Sequence, residues 1–302
     1  MRIASVLPSA TEIVCALGAR QELVARSAEC DYPPEVASVP VVMRARTLDG
    51  GRSSAEIDAR VRATRGRGES LYFLDTDLLR STRPEVLLTQ DLCGVCSVTE
   101  AEVAEACAQA GVNPAVVSLT PRTLAEVWAT FGVVGRAIGR LGEALRLTDL
   151  TRERLPQLTS PPGVTRVAIV EWMDPPILAG LWTPDIVSFA GGTPLGPASG
   201  EPGRRTTWEE LARLAPDLLV VSPCSFSVAR TLRELRSGAI ADHLRRVRAP
   251  LGTFVADEAY FSRPGPRLAD GVDLVRALLR RSSPPSPMPV VRWVAGATEA
   301  VA

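Results

Sequence analysis

The chain has 302 residues, 46% of them hydrophobic, with 34 arginines balanced by 34 acidic residues and no lysine. That length suits two cores of roughly 100–150 residues better than one. A formal net charge of zero removes any general pull toward nucleic acid or an anionic membrane, and the missing lysine excludes a pyridoxal Schiff base, a P-loop lysine and a lysine general base.

Met1 runs directly into the apolar stretch Ile3 to Leu7, with no signal-type apolar region, small-residue cleavage site or lipidated cysteine behind it. The expectation is a cytoplasmic protein. No apolar stretch reaches the ~18 residues a membrane span needs, so no membrane insertion is expected. Six cysteines in a chain of this size, without a secretory signal, read as reduced thiols.

The opening segment RIASVLPSATEIVCALGA reads as a buried strand, a turn at Pro8 and a helix, with Ser9 and Glu12 placed for a capping box. Strand followed directly by helix is half of a βαβ unit, and repetition of that unit implies a mainly parallel sheet. The pattern recurs in the second half. RVAIVE at 166–171 repeats the opening strand, PDIVSFAGG at 184–192 echoes TEIVCALGA at 11–19, and EELARLAPDLLVVS from Glu209 echoes DLLRSTRPEVLLTQ from Asp77. Aligned on Pro84 and Pro216, the two copies place Asp77 over Glu209. Between them, the apolar residues Leu124, Val127, Trp128, Phe131, Val134, Ile138, Leu141 and Leu145 keep helical spacing without a proline, which predicts one continuous helix over most of 122–148. The expected fold is α/β: two Rossmann-like lobes with mainly parallel sheets, residues 1–120 and 156–281, joined by one long interlobe helix within 121–155. Residues 282–302, rich in proline and alanine, are expected outside the core.

The segments VLPSATEIVCALGA, ECDYPPEV, SLYFLDTDLLRSTRPEVLLTQDLCGVC, EWMDPPILAG, FAGG, TWEELARLAPDLLVVSPC and AYFSRPGPRL run in order from residue 3 to about 275. As a set they resemble the helix-linked (class III) periplasmic binding protein superfamily, in particular its cobalamin-binding and iron-siderophore solute-binding members. The resemblance implies a ligand held between two α/β lobes, and an ABC importer permease as partner if the protein is exported. It also implies that Asp77 and Glu209 are paired acids for docking on such a permease. Three positions depart from the family pattern: Ala28 and Leu181 stand where relatives carry histidine, and Glu258 stands where relatives carry asparagine ahead of AYF.

In open α/β sheets, ligands sit outside the carboxyl ends of the strands. The loops expected there carry Ser9 and Thr11; Glu29, Cys30, Asp31 and Tyr32; Asp91 and Cys93; Glu171, Trp172 and Asp174; Phe226; and Glu258, Tyr260 and Arg263, with Trp182 joining from the next turn. Loop aromatics suit a flat ligand. Cys93 and Cys96 have the spacing of a thiolate metal clip, but a second ligand pair is missing. His243, the only histidine, lies among arginines at an expected helix end, so acid–base work would fall to Glu29, Glu171 and Glu258. Arg263 and Arg267 offer a fork for a ligand carboxylate or phosphate, or else an ion pair that fastens their own loop. Two functions follow. One is a binder of cobalamin or a similar corrinoid or tetrapyrrole-sized molecule. The other is an enzyme of specialised metabolism that reuses the cleft.

Overall fold

The computed structural model describes residues 1–46, 51–91, 98–155, 164–236, 239–284, 288–294 and 297–300. The chain divides into two compact units. Unit 1 comprises Met1–Arg52, Ala59–Pro121 and Ala125–Arg152, and unit 2 comprises Ser53–Asp58, Arg122–Leu124 and Glu153–Ala302.

The first part of the chain runs β1 (Ile3–Ser5), α1 (Pro8–Ala16), β2 (Leu23–Ser27), β3 (Val41–Ala45), α2 (Ser54–Gly66), β4 (Tyr72–Leu74), α3 (Thr76–Thr82), β5 (Val86–Thr89), α4 (Glu100–Ala110) and β6 (Ala115–Ser118). Among the described residues, its sheet has the order β4-β3-β2-β1-β5-β6, parallel except where β4 joins β3. Strand order reverses direction between β1 and β5, which opens a crevice at their carboxyl ends. The central strands are buried and mostly apolar, as expected where both faces of a parallel sheet are covered. Ile3, Ala4, Leu87 and Leu88 accordingly have no exposed surface.

Two local expectations are corrected here. The first turn of α1 starts at Pro8 with Leu7 before it and has no side-chain cap. Proline at the first helical position supplies the fixed φ and needs no partner for an N–H, so Ser9 is drawn into the helix instead of capping it. A capping box forms later, where Thr99 and Glu102 satisfy each other's backbone N–H at the start of α4.

The long helix expected over 122–148 is two helices, α5 (Leu124–Ala137) and α6 (Leu141–Arg154). Gly139 takes φ +71°. The Gly139 N–H donates to Arg136 O, and the Arg140 N–H donates to Gly135 O at 2.6 Å, which is the Schellman closure of a helix end. Gly135 has no Cβ to collide with Ala144, and Thr148 Oγ1 reaches the Trp128 carbonyl at 3.5 Å, so α6 turns back against α5. The apolar spacing runs on across the break, but Leu141 and Leu145 are exposed where the α5 stripe is buried, and α6 instead buries Ala144 and Thr151. Arg140 then donates to Glu22 at 2.8 Å, and this bond holds the Glu22 carboxyl below the usual carboxylate range.

The second part of the chain runs β7 (Arg166–Met173), β8 (Pro176–Leu178), α7 (Thr183–Phe189), β9 (Thr193–Leu195), β10 (Arg204–Arg205), α8 (Trp208–Leu214), β11 (Leu218–Val221), α9 (Val228–Arg236), α10 (Ala239–Arg246), β12 (Gly252–Ala256), α11 (Leu268–Arg280), β13 (Val290–Val294) and β14 (Ala297–Ala300). Its sheet has the order β10-β8-β7-β11-β12-β13-β14, with β9 also on β7. β9, β7, β11 and β12 are parallel, and the remaining pairings are antiparallel. The segment after Ser282 therefore does not lie outside the core as expected. β13 pairs antiparallel with β12 and buries Val290 and Trp293, which lie on opposite faces of the strand.

The internal repeat holds at the level of single hydrogen bonds. α3 and α8 are both seven-residue helices, capped by Asp75 and Thr207 and ended by Arg83 and Ala215 with φ of +44° and +47°. In one unit Glu85 accepts from the Arg2 N–H at 2.7 Å, and in the other Asp217 accepts from the Arg166 N–H at 2.7 Å. The Arg2 side chain also donates to the Arg83 carbonyl, as that of Arg166 does to the Ala215 carbonyl. α1 and α7 end alike, on Gly18 and Gly191 at φ +76° and +93°.

Because Gly139 holds a left-handed conformation that costs an L-residue roughly 1–2 kcal/mol, Gly139→Ala should lower unfolding free energy by about that amount in chemical denaturation. A neutral or stabilising result would show that the turn relaxes into the continuous helix.

Candidate functional site

In unit 2, the loops after β7, β11 and β12 are tied into one rim. Cys224 N–H donates to Glu171 O at 3.0 Å, Ser222 Oγ to Asp257 O at 3.2 Å, and Cys224 Sγ lies 3.3 Å from Ser262 Oγ. Trp182 is buried and its indole N–H donates to Phe261 O at 2.6 Å, so this aromatic fastens the last loop. Phe226, also buried, receives the edge of half-buried Trp172 at 5.3 Å and an interplanar angle of 63°. The Arg230 guanidinium lies 3.8 Å from the centre of the same Phe226 ring, within cation–π range.

Glu258 and Arg263 form an ion pair of 2.6 Å with side chains only 8% and 11% exposed. Of the two readings open for Arg263, the geometry supports the fastening pair. Glu258 is not an open anchor for a ligand cation, and its charge is already met by the guanidinium. The reason is local: after the turn that opens at Asp257, the Ser262 N–H donates back to Glu258 O at 2.8 Å, which sets Arg263 beside Glu258. Tyr260 is buried and closes against Gly271, where a Cβ would lie 2.2 Å from Tyr260 O. Asp174 is exposed and Glu171 half-buried. Leu181, in place of the family histidine, sits at φ +53° with its N–H on Glu201 O.

In unit 1, the loop after β2 presents Glu29, Asp31 and Tyr32 to solvent, Tyr32 with 45% exposure. Arg26, which sequence reasoning missed, shapes this loop. Its guanidinium, with the residue 9% exposed, donates to four carbonyls: Val36 at 2.8 Å, Ser27 and Cys30 at 3.0 Å each, and Ala37 at 3.1 Å. The signal was an arginine inside the apolar strand LVARS, a place where a charge survives only if it is fully hydrogen-bonded. Thr11 is fully buried, with Oγ1 at 2.9 Å from Ser5 Oγ and 3.0 Å from Cys30 Sγ. Ser9, Thr11 and Cys30 are therefore packed behind the rim instead of on it. Asp91 is exposed, and Cys93 and Cys96 lie outside the described residues.

Cys15, Cys30, Cys107 and Cys224 are free thiols, and burial pushes the Cys15 thiol up to about 11. Among the described residues no three His, Cys, Asp or Glu side chains form a group that could hold a metal. No described helix is long and apolar enough to cross a membrane. A hollow of about 470 Å³ in unit 1 is lined by Arg46, Arg60, Thr64, Arg67, Glu69 and Ser70. It is not built from the loops at the strand ends, and Arg67 is already forked onto Glu69.

The two acids matched by the repeat occupy the same position, second in α3 and second in α8. The Asp77 side chain is 87% exposed and bonds Arg80, and the Glu209 side chain is 59% exposed with His243 Nδ1 at 3.5 Å. The single histidine thus pairs with an exposed acid and stands apart from the rim residues described above. Glu209 is held below the usual carboxylate range, chiefly by its own backbone N–H.

No family model matches the chain, and no curated protein matches it. Solved structures do. A periplasmic heme-binding protein from Pseudomonas aeruginosa is 20% identical, with 96% of this chain and 97% of that one covered and a TM-score of 0.69. The periplasmic vitamin B12-binding protein BtuF of Vibrio cholerae is 19% identical over 92% and 96%, with a TM-score of 0.58. An ABC-type Fe3+-hydroxamate transport system from Saccharomonospora viridis is 17% identical over 92% of each chain, with a TM-score of 0.62. The chain has the α/β fold of the class III binding proteins, with mainly parallel sheets. The cytoplasmic placement read from the first residues is withdrawn: proteins that share this fold from end to end are described as periplasmic.

Two outcomes follow from the buried guanidiniums. Arg263→Met leaves Glu258 buried without its partner and should cost about 3–5 kcal/mol in denaturant unfolding, most of it recovered in the double variant Glu258→Gln/Arg263→Met. Equal losses in single and double variants would contradict the pairing. Arg26→Met should strip four carbonyls of their donor, lowering stability by roughly 2–4 kcal/mol, with hydrogen-exchange protection lost first around residues 28–37. Protection unchanged in that loop would show that Arg26 does not hold it.

Proposed function

We propose that this chain is the substrate-binding component of an ABC importer, working in the periplasm, for a tetrapyrrole-sized ligand, either cobalamin or a related corrinoid or haem. The observation that carries the proposal is the likeness over 92–96% of the chain to proteins described as binding heme and vitamin B12. The aromatic and polar loops at the carboxyl ends of both sheets support it, since those ends are where open α/β sheets bind ligands. Exposed Tyr32 in unit 1 and half-buried Trp172 in unit 2 are each aromatics at such strand ends. With Ala28 and Leu181 at the two histidine positions, stacking and hydrogen bonds take the place of imidazole contacts.

The exposed, equivalent acids Asp77 and Glu209 are proposed as the contacts to an importer permease. An enzymatic role draws less support, because Glu258, one of its three carboxylates, is already bonded to Arg263.

Absorbance titration of the purified protein with cyanocobalamin and with hemin tests the proposal. One of the two should bind at micromolar or tighter dissociation constant with a shifted visible spectrum. A protein whose presence alters neither spectrum, and which retains neither compound on gel filtration, does not have this function.

A further inference from the structure

We infer that the indole N–H of Trp172 is a ligand donor, reserved for a carbonyl-type oxygen of a carboxylate or carboxamide on the bound molecule. This rests on the reading above that the rim of unit 2 touches the ligand. Trp172 Nε1 is shielded from solvent and has no hydrogen-bond partner among the described residues. The other rim tryptophan shows the ordinary outcome, since Trp182 donates to Phe261 O at 2.6 Å. A buried indole N–H without an acceptor lowers stability, and phenylalanine would make the same aromatic contact without that loss.

The indole is not at liberty to turn toward a partner of its own. Its backbone is fixed in β7, where Trp172 pairs with Ile177 of β8, and its ring meets Phe226 edge-on at 5.3 Å. Phe226 is itself held beneath Arg230. Among the described residues no acceptor meets it, and the ligand supplies one. Shielding from water makes the waiting donor stronger once the acceptor arrives.

The test is Trp172→Phe, measured with hemin, which carries carboxylates, and cyanocobalamin, which carries carboxamides. The variant should bind the accepted compound roughly tenfold more weakly, while the melting temperature of the ligand-free protein stays level or rises. Weakening with hemin alone assigns the acceptor to a carboxylate, and weakening with cyanocobalamin alone assigns it to a carboxamide. In wild-type protein, the Trp172 indole proton resonance should move downfield on binding. Wild-type affinity in the variant, or a fall in melting temperature that accounts for the lost binding, overturns the inference and leaves the functional reading standing. Failure of the wild type to bind either compound overturns both.

Discussion

In each unit, the strand that opens the fold is seated beside the strand that follows the proline turn, and one carboxylate holds the two ends together. Glu85 accepts from the Arg2 N–H, and Asp217 accepts from the Arg166 N–H. The arginine side chains reach back to the carbonyl of the left-handed residue that ends α3 or α8. These bonds lie at the surface and contribute modestly to stability. Their effect is on register. A parallel pair can slide along itself, and a slip of one residue would turn the buried face outward. With the amino ends locked, the carboxyl ends of β1 and β5, and of β7 and β11, come level, and the loops that leave them start from one edge.

Guanidinium groups then shape those loops. Lysine places a single charge on a flexible stem, whereas arginine presents a rigid fork that can serve several carbonyls at once. Arg26 uses that fork to draw the ECDYPP loop onto itself through four backbone carbonyls, with a chain of neutral acceptors in place of a carboxylate. Arg263 closes its loop in the opposite way, through one carboxylate that is almost as buried as itself. A chain without lysine is well supplied for both arrangements.

The functional consequence is a division of labour among the candidate residues. Thr11, Cys30, Trp182, Glu258 and Tyr260 are committed to internal packing and bonding, and they set where the loops stand. Tyr32, Glu29, Asp31 and Asp174 face solvent, and Trp172 holds an unused donor.

The amino-acid sequence by itself determined the alternation of strand and helix, the doubling of the unit and the positions of Asp77 and Glu209, because these are set by local periodicity and by turn residues that act within a few positions. Proline at 84 and 216 and glycine at 18 and 191 mark their turns without reference to the rest of the chain. The break at Gly139 was hidden among four glycines, Gly132, Gly135, Gly139 and Gly142, inside apolar spacing that runs on through Leu141 and Leu145, and only the fold shows that those two leucines are exposed. The pairing of VVRW with β12 depended on a sheet edge that lies far away in the chain, with Val290 opposite Ala256 and Trp293 opposite Thr253, which composition does not report. Tertiary structure alone decided which rim side chains are buried in internal bonds and which reach solvent. Whether Glu258 meets Arg263, and whether an indole N–H meets anything, depends on three-dimensional placement at the range of a single hydrogen bond, where residue type and spacing carry no information.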